Sequence, residues 1–381
     1  MKIGILTQPL YNNYGGLLQC YALMQVLKKL GHEPELISRI DRNQSSGWLY
    51  NLYNLTRHYA SCILKRRLKH RITTDEKEFI AQYTSDFINR YITPRSPFLF
   101  TSRQIREYVE RSKFDAFIVG SDQCWRPMYS PCITDYFLGF LPKTTNNYKC
   151  LAYAASFGVD EWEFNSNETQ KCASLAKKFN GISVRESSGI ELCRKNLGVQ
   201  ATHVLDPTML LEVDDYRKLV TTEEEPQSAG RLFYYILDKN VKKQEVVNYV
   251  SETLHLKPFT AMPKCLLNSE KVIRNLKDCV FPPVTQWLRS FMDAEMVVTD
   301  SFHGCVFSII FNKPFWVIGN KERGLSRFHS LLSMYGLQER LIIPENMTSF
   351  DCSTPINWEE INQIRKDWQK LSYEFLIKNL S

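Results

Sequence analysis

Short apolar runs that end in polar or glycine-bearing turns, followed by helical runs, recur along most of this chain of 381 residues. The first example begins at the N-terminus, where the strand-like segment 2–7 leads into the glycine-containing loop 8–16. A helical pattern follows through Leu27, and residues 35–38 are predicted to form a second strand. Strand, turn, helix and strand in this order predict a doubly wound parallel sheet.

The length of the chain favours two domains. Strands are predicted at 114–119, 151–155, 181–184 and 202–205, and the acidic segment 221–230, with its Pro and Gly, then interrupts the alternation. A new strand–helix alternation starts after this break, as expected for a second α/β domain. The predicted organisation is an N-terminal α/β domain at 1–205 with a helical basic insertion at about 41–112, a linker at 206–230, a C-terminal α/β domain at 231–357, and a helix at 358–381 that packs back on the first domain.

Composition narrows the class of protein. Apolar residues make up 44% and charged residues 23% of the chain, as in ordinary globular proteins, and the net charge of +7 permits an anionic substrate without requiring one. A nucleic-acid partner is not expected, because no concentrated basic face accompanies a recognisable binding module. The 11 cysteines lack metal-like spacing, so we expect reduced thiols and no metal site. A short N-terminal strand in place of a signal peptide, and no apolar run of about 20 residues, predict a cytoplasmic protein.

The turn Ser301-Phe302-His303-Gly304 is the strongest candidate for a functional site. It joins an apolar strand-like run to an apolar helical run, and ligands of open α/β sheets bind where strands end, beside free backbone N–H groups. His303 can carry a proton at neutral pH, Ser301 offers a hydroxyl, and Gly304 leaves room for close approach of a ligand. A histidine that only caps the following helix is the alternative.

Cationic side chains can complete this site for a small, strongly anionic substrate. Lys321, Arg323 and Arg327 follow the next apolar run, and one or two of them are expected to reach the anion while the rest serve as scaffold. Arg185 ends another predicted strand, where a guanidinium can bind a carboxylate or phosphate through two parallel hydrogen bonds. The alternatives are a surface pair between Arg185 and Glu186, and a solvated face for the later cations.

Two further strand-end turns offer groups that suit a sugar. The first opens the N-terminal helix and is too unlike a GxGxxG or Walker loop to predict nucleotide binding. The second combines a carboxylate, an amide and an indole, which suit the hydroxyls and the apolar face of a sugar; a structural turn in which Asp122 caps the next helix is the alternative. The candidate acceptor-binding residues are Asn13, Tyr14, Gly15, Gly16 and Gln19 from the first turn and Asp122, Gln123 and Trp125 from the second.

Residues 57–71 form a basic, helix-compatible segment that includes Ile63, Leu64 and Leu68 among its cations. A solvated helix explains this pattern, and an anionic membrane surface would also suit it. Peripheral association with the inner face of the cytoplasmic membrane is therefore the second interpretation of this segment.

Taken in order, these turns resemble the motifs of the polysaccharide pyruvyl transferase family. No single motif is decisive, but the ordered set extends from about residue 2 to residue 340. The motifs are Asn13-Tyr14-Gly15-Gly16-Leu17-Leu18-Gln19, Val119-Gly120-Ser121-Asp122-Gln123 with Trp125, Ser183-Val184-Arg185-Glu186, Leu205-Asp206-Pro207, Thr299-Asp300-Ser301-Phe302-His303-Gly304 and residues 320–328.

The resemblance implies two Rossmann-like domains in a GT-B-like glycosyltransferase architecture, with the acceptor bound by the first lobe and the donor by the second. It also implies transfer of pyruvate from phosphoenolpyruvate to two hydroxyls of a hexose, typically galactose as a 4,6-ketal, in a bacterial surface polysaccharide or its lipid-linked precursor. Phosphate is released, and phosphoenolpyruvate is a co-substrate, so no cofactor is expected. The family's strand-end arginine and histidine correspond to Arg185 and His303, and its later basic residue falls among Lys321, Arg323 and Arg327.

One position departs from the family pattern. Many members have Arg-Leu-His-Gly where this chain has Ser301-Phe302-His303-Gly304. Either Arg323 or Arg327 replaces the missing arginine, or donor binding differs. Two other functions stay open: a GT-B glycosyltransferase that uses a nucleotide-sugar, and a non-catalytic protein of glycan assembly.

Overall fold

Two parallel sheets form the framework of the protein. The computed structural model describes residues 1–41, 72–142, 148–266, 275–319, 324–343 and 350–381. The strands are β1 (Lys2–Leu6), β2 (Glu33–Leu36), β3 (Ala116–Val119), β4 (Lys149–Ala155), β5 (Gly181–Val184), β6 (Thr202–His203), β7 (Leu232–Tyr235), β8 (Pro258–Phe259), β9 (Met296–Thr299), β10 (Phe315–Ile318) and β11 (Leu341–Ile342).

Each sheet belongs to one domain. The first has the strand order β2-β1-β3-β4-β5-β6 and the second β11-β10-β9-β7-β8, and the strand pairs in both are parallel. The predicted fold class, α/β with two Rossmann-like domains, is confirmed. Parallel strands are buried on both faces, which explains why β1, β3 and β9 are almost continuously apolar.

Twelve helices accompany the sheets in the described part of the chain. They are α1 (Tyr14–Lys29), α2 (Thr74–Ile80), α3 (Gln82–Tyr91), α4 (Ser102–Ser112), α5 (Ser166–Ala176), α6 (Ser188–Leu192), α7 (Val213–Thr222), α8 (Val241–Leu254), α9 (Val284–Asp293), α10 (Phe302–Ile310), α11 (Ser326–Met334) and α12 (Trp358–Leu380). Helix α1 begins at Tyr14. Asn13 caps it, because the Asn13 side chain accepts a hydrogen bond from Gly16 N at 3.2 Å.

The insertion after β2 is partly described. Helices α2, α3 and α4 lie within it, whereas residues 42–71, which include the basic segment 57–71, lie outside the described residues. The insertion also extends the edge of the first sheet, through isolated parallel bridges between Leu36 and Arg95 and between Arg39 and Leu99. The sequence pattern gave no sign of these bridges, since each involves a single residue pair.

The C-terminal helix α12 lies on the first domain. The Ser372 hydroxyl accepts a hydrogen bond from Leu205 N at 3.0 Å, and the Phe375 ring packs near the Tyr153 ring of β4, with centroids 6.3 Å apart. Gln369 Nε2 donates to Met209 O at 2.8 Å. The segment 206–230 is not an extended linker, because it contains a 3-10 turn at Pro207–Leu210 and helix α7.

Candidate functional site

Four polar residues follow strands and meet between the two sheets. Asp122 comes after β3, Arg185 after β5 and Asp206 after β6, whereas His303 comes after β9 in the second sheet. The carboxyl ends of parallel strands share one edge of a sheet, and here the edges of the two domains face each other. Arg185 Nη1 donates to Asp206 Oδ2 at 3.0 Å, and His303 Nε2 lies 3.5 Å from the same oxygen. The Asp206 carboxylate therefore contacts one group from each domain.

Asp206 organises this cluster. Its Oδ2 also accepts a hydrogen bond from the Ser121 hydroxyl at 3.2 Å, and its Oδ1 accepts from Thr208 N at 3.0 Å and from Thr208 Oγ1 at 2.7 Å. Burial alone would raise the pKa of Asp206, but His303, Arg185 and the hydrogen bonds from Thr208 together hold that pKa below its ordinary value. Asp206 is thus a permanent anion at neutral pH.

His303 is enclosed by parts of both domains and is 6% exposed. The Phe302 ring meets the imidazole edge-on, with centroids 5.3 Å apart. On another side, a Cβ added to Gly15 would lie 2.0 Å from His303 Nδ1, so the first turn of α1 packs directly against the ring. The imidazole is therefore positioned between Gly15 and Asp206, and only glycine at position 15 leaves room for it.

Arg185 is buried, and not all nitrogens of its guanidinium form hydrogen bonds with the described residues. Its Nε donates to Glu186 Oε1 at 3.0 Å, and the Phe302 ring centroid lies 4.3 Å from its Cζ. Its Nη2 has no hydrogen-bond partner among the described residues and lies 4.0 Å from Asp122 Oδ1. Burial lowers the pKa of Arg185, but the carboxylates of Glu186 and Asp206 outweigh burial and raise it above its ordinary value, so the group stays charged.

Arg327, on α11 of the second domain, is the second guanidinium of the cluster and is 8% exposed. Burial is the main cause that lowers the pKa of Arg327 to about 10, and the positive charge of Arg185 acts in the same direction, against Glu186 and Asp122. The two guanidiniums come from different domains, and the charge of Arg185 disfavours the charge of Arg327. An anion bound between them would relieve that repulsion.

The described part of the cluster does not carry a clear excess of positive charge. The carboxylates of Asp122, Glu186 and Asp206 face the guanidiniums of Arg185 and Arg327. A small substrate with several negative charges needs further cations in such a site.

Lys321 and Arg323 lie outside the described residues, so their predicted contact with the donor has no structural counterpart here. Gly324 is the first described residue after them. A Cβ added to Gly324 would lie 2.6 Å from Gly158 O of the first domain, so the two backbones are in close contact. Gly158 in turn packs against the Gln123 side chain, since a Cβ there would lie 2.1 Å from Gln123 Oε1. Gly324 therefore lies beside the first domain's strand-end loops.

Trp125 is not available to a sugar, and the prediction that it binds the acceptor is wrong. Its side chain is fully buried, and its ring stacks on the Phe137 ring with centroids 4.6 Å apart. Its Nε1 donates to Tyr136 O at 2.8 Å, so the only polar atom of the indole is already satisfied. Trp125 is a core residue of the first domain.

The first predicted acceptor turn is largely internal as well. Tyr14 is fully buried, and its hydroxyl donates to Pro282 O of the second domain at 2.8 Å. Gly16 is buried, and its N–H is taken by the Asn13 cap. Contacts from Tyr14 and Gly16 to an acceptor are therefore ruled out by packing, and Gly15 faces His303.

Gln19 does not reach the acceptor either. It is fully buried, its Nε2 donates to Thr7 Oγ1 at 2.9 Å, and its Oε1 accepts from Ser121 N at 3.1 Å. The amide thus ties α1 to the ends of β1 and β3, and this prediction is also wrong.

Asn13, Asp122 and Gln123 remain at the edge of the site. Asn13 is exposed, and its Nδ2 donates to Asp122 Oδ2 at 3.3 Å. Asp122 adopts a left-handed backbone conformation with φ of 56°, which aspartate tolerates better than most residues. Its carboxylate is held only loosely, by Asn13 and by the distant Arg185 Nη2.

The residues on either side of His303 have structural roles. Ser301 caps α10, because its Oγ accepts a hydrogen bond from Gly304 N at 3.4 Å. A Cβ on Gly304 would lie 2.2 Å from Thr299 Oγ1, so this glycine allows α10 to pack on β9 rather than a ligand to approach the backbone. Phe302 provides the ring that lies against Arg185.

Asp206 and Glu186 are the site residues that sequence reasoning did not assign. Asp206 stands directly after the predicted strand 202–205, and Glu186 directly after Arg185. The position at a strand end was the available signal for both residues. The sequence pattern suggests only a surface partner of Arg185 for Glu186, yet Glu186 is 3% exposed and accepts a hydrogen bond from the Ser156 hydroxyl at 2.7 Å.

Membrane contact through residues 57–71 stays a prediction, because that segment lies outside the described ranges. Across the ranges that are described, no helix combines the length and the apolarity needed to cross a bilayer.

Two parallel α/β domains, with a buried arginine–aspartate–histidine cluster at their facing strand ends, define a GT-B-like protein whose site lies between its lobes. The chain belongs to the polysaccharide pyruvyl transferase family, whose model matches residues 13–322. The predicted family is therefore confirmed over most of the chain, and transferase activity goes with it.

Several solved structures are similar to this chain at low identity. Arabidopsis thaliana UGT89C1 complexed with UDP-L-rhamnose is 10% identical, with 100% of this chain and 97% of that chain covered and a TM-score of 0.49. UDP-N-acetylglucosamine 2-epimerase from Rickettsia bellii is 10% identical, with 99% and 96% covered and a TM-score of 0.46. No curated protein matches the chain.

Proposed function

We propose that the protein transfers pyruvate from phosphoenolpyruvate to two hydroxyls of a hexose and releases phosphate. The observation that carries this proposal is the shared carboxylate of Asp206, which holds Arg185 of the first domain and His303 of the second. A cation for the donor and a proton carrier are thereby positioned as one unit, within a chain that belongs to the pyruvyl transferase family.

The donor is proposed to bind between Arg185 and Arg327. The Nη2 of Arg185 is buried and has no hydrogen-bond partner in the described ranges. A buried unpaired N–H is costly, so a carboxylate or phosphate oxygen is its natural partner. Arg327 takes the place of the arginine that many family members carry two residues before the histidine-glycine pair. Lys321 and Arg323 are proposed to supply the remaining positive charge.

His303 is proposed to donate or relay the proton that phosphoenolpyruvate receives at C3. Protonation leaves cationic character at C2, and the oxygen of the first sugar hydroxyl then forms a bond to C2 and loses its proton. Phosphate leaves with the electron pair of its C–O bond, and the second hydroxyl adds to C2 and loses its proton, which closes the ketal. Positioned proton transfer of this kind accelerates reactions by about 10²–10⁴-fold.

Asp122 is proposed to accept the proton of the attacking hydroxyl. Its carboxylate lies at the site edge beside the exposed Asn13, and among the described residues Asn13 Nδ2 and Arg185 Nη2 are its side-chain partners, at 3.3 and 4.0 Å. Asp206, by contrast, already accepts hydrogen bonds from Arg185, Ser121 and Thr208 and has less capacity left for a substrate proton. Asn13 and Gln123 are proposed to bind other hydroxyls of the acceptor.

The acceptor is proposed to be galactose, bridged at its 4- and 6-hydroxyls, in a bacterial surface polysaccharide or its lipid-linked precursor. A lipid-linked oligosaccharide would place the reaction at the inner face of the cytoplasmic membrane, where residues 57–71 would meet anionic lipid. The proposed chemistry requires no redox step and no cofactor, since phosphoenolpyruvate itself provides the activated group.

Calorimetric titration with phosphoenolpyruvate, followed by phosphate release with methyl β-D-galactopyranoside as acceptor, tests the proposal. We expect micromolar binding by the wild type, loss of binding in Arg185→Ala, and retained binding without turnover in His303→Ala. Arg185→Lys keeps the charge but not the paired N–H geometry, and should recover part of the binding. Stabilisation by UDP instead of phosphoenolpyruvate would favour a nucleotide-sugar transferase, and binding of neither would favour a non-catalytic role.

A further inference from the structure

A short turn after the Trp125 loop carries exposed apolar side chains. Met128 is 68% exposed and Tyr129 is 47% exposed, and both belong to the 3-10 turn Pro127–Tyr129. An exposed ring that is already held rigidly beside a polar site loses little conformational entropy when a ligand binds to it.

The turn is fixed to the strand ends that form the site. Gln8, which follows β1, donates from Nε2 to Gln123 O at 2.8 Å and to Ser130 Oγ at 3.1 Å. The Ser130 hydroxyl donates to Cys124 O at 2.9 Å. Ser130, which directly follows Tyr129, is thus tied to the loop that contains Asp122.

Arg126 supports the Tyr129 ring from one side. Its Cζ lies 4.8 Å from the ring centroid, and its Nε and Nη2 each donate to the Glu163 carboxylate at 2.9 Å. Its Nη1 donates to Gln123 Oε1 at 3.2 Å. Gln123 is the neighbour of Asp122 in the chain, so Arg126 lies next to the loop that carries Asp122. Tyr129 is therefore a half-exposed ring on a fixed arginine at the rim of the site.

We propose that Tyr129 and Met128 form the acceptor subsite and bind a hexopyranoside by stacking against the apolar C–H face of its ring. This inference rests on the proposed function and takes over the role that Trp125 was predicted to have. Arg126 and Gln123 connect this ring to the loop of Asp122, whose carboxylate accepts a hydrogen bond from Asn13. Asp122 and Asn13 are therefore the polar groups proposed to bind the hydroxyls of the stacked sugar. Aromatic rings and a few placed polar groups are the usual composition of such subsites.

Two measurements on the full chain separate this subsite from the transfer reaction. Saturation-transfer NMR with methyl β-D-galactopyranoside reports sugar binding without any turnover. Steady-state phosphate release reports KM for the same sugar and for phosphoenolpyruvate. Tyr129→Ala should weaken the NMR contact and raise the sugar KM about fivefold or more, with the phosphoenolpyruvate KM unchanged.

Matched variants make the outcome specific. Tyr129→Phe keeps the ring and should behave like the wild type in both measurements. Tyr249→Ala removes a tyrosine of similar exposure, 43%, from α8 in the second domain and should change neither. An unchanged sugar KM and an unchanged NMR contact in Tyr129→Ala would overturn the subsite, even if pyruvate transfer is observed. Sugar contact that depends on Tyr129, without any transfer from phosphoenolpyruvate, would uphold the subsite and overturn the proposed function.

Discussion

His303 Nε2 of the second domain lies 3.5 Å from Asp206 Oδ2 of the first domain, so an imidazole and a carboxylate meet across the domain boundary. The same carboxylate oxygen accepts from Arg185 Nη1 at 3.0 Å. Movement of one domain relative to the other would therefore change the surroundings of both groups at once.

Replacement of Asp206 should impair both activity and folding. Asp206→Asn leaves a buried Arg185 and His303 without their shared anion, and loss of one partner of a buried pair costs about 3–5 kcal/mol. We expect a loss of that order in the free energy of unfolding by urea, and turnover reduced at least a hundredfold. An Asp214→Asn control, which removes a carboxylate that is exposed on α7, should leave both unchanged.

The lowered pKa of Asp206 gives stability a defined pH dependence. A carboxyl whose folded pKa lies below its unfolded value contributes stability above the unfolded value, about 3.9, and this stability is lost as the pH falls through the folded pKa. Urea unfolding between pH 3 and about pH 6 should show wild-type stability falling toward the acid end. Asp206→Asn should fall less steeply, and parallel curves for the two proteins would contradict the assignment.

Gly15 should tolerate no side chain. A Cβ in Gly15→Ala would overlap His303 Nδ1, which lies 2.0 Å from the ideal Cβ position, so the imidazole must move. A displacement of about 1 Å in a catalytic group can cost about 100-fold in rate, and we expect a kcat loss of that order. In Gly16→Ala the added Cβ meets the flexible Asn13 side chain at 3.0 Å, so a much smaller loss is expected. Equal kcat values for the two variants would contradict this.

Arg327 should contribute to the binding of phosphoenolpyruvate and not to the thermal stability of the fold. Because burial and the charge of Arg185 lower the pKa of Arg327 to about 10, its charged form is disfavoured in the folded protein without a bound anion. Arg327→Met should therefore keep the wild-type thermal midpoint or raise it, while the phosphoenolpyruvate KM rises at least tenfold. A large drop in the midpoint with an unchanged KM would assign Arg327 a purely structural role.

Replacement of Trp125 should lower the stability of the protein without changing the binding of the sugar acceptor. Trp125→Ala removes a fully buried indole and should destabilise the protein by about 3–5 kcal/mol, because it leaves a large cavity in the core. Trp125→Phe should lose less and fold well enough for kinetics. We expect the sugar KM of Trp125→Phe to equal that of the wild type, whereas an increase confined to the sugar KM would restore a direct role.

Local sequence determined much of the framework. The apolar runs at 2–7 and 181–184 are strands because parallel strands bury both faces, and the tail helix was visible from its apolar spacing. His303 and Arg185 could be selected from sequence because each follows a predicted strand, where open α/β sheets bind their ligands.

Tertiary structure alone decided which polar side chains remain free. Trp125, Tyr14 and Gln19 have the residue types of a sugar site, yet their hydrogen bonds are used in the core, and no local pattern records that. The converse holds for Asp206, whose role arises because β6 and β9 end near each other although they are distant in the chain. Whether a polar group pairs internally or faces a ligand depends on tertiary contacts of this kind, which follow from packing within the first domain as well as between the two domains.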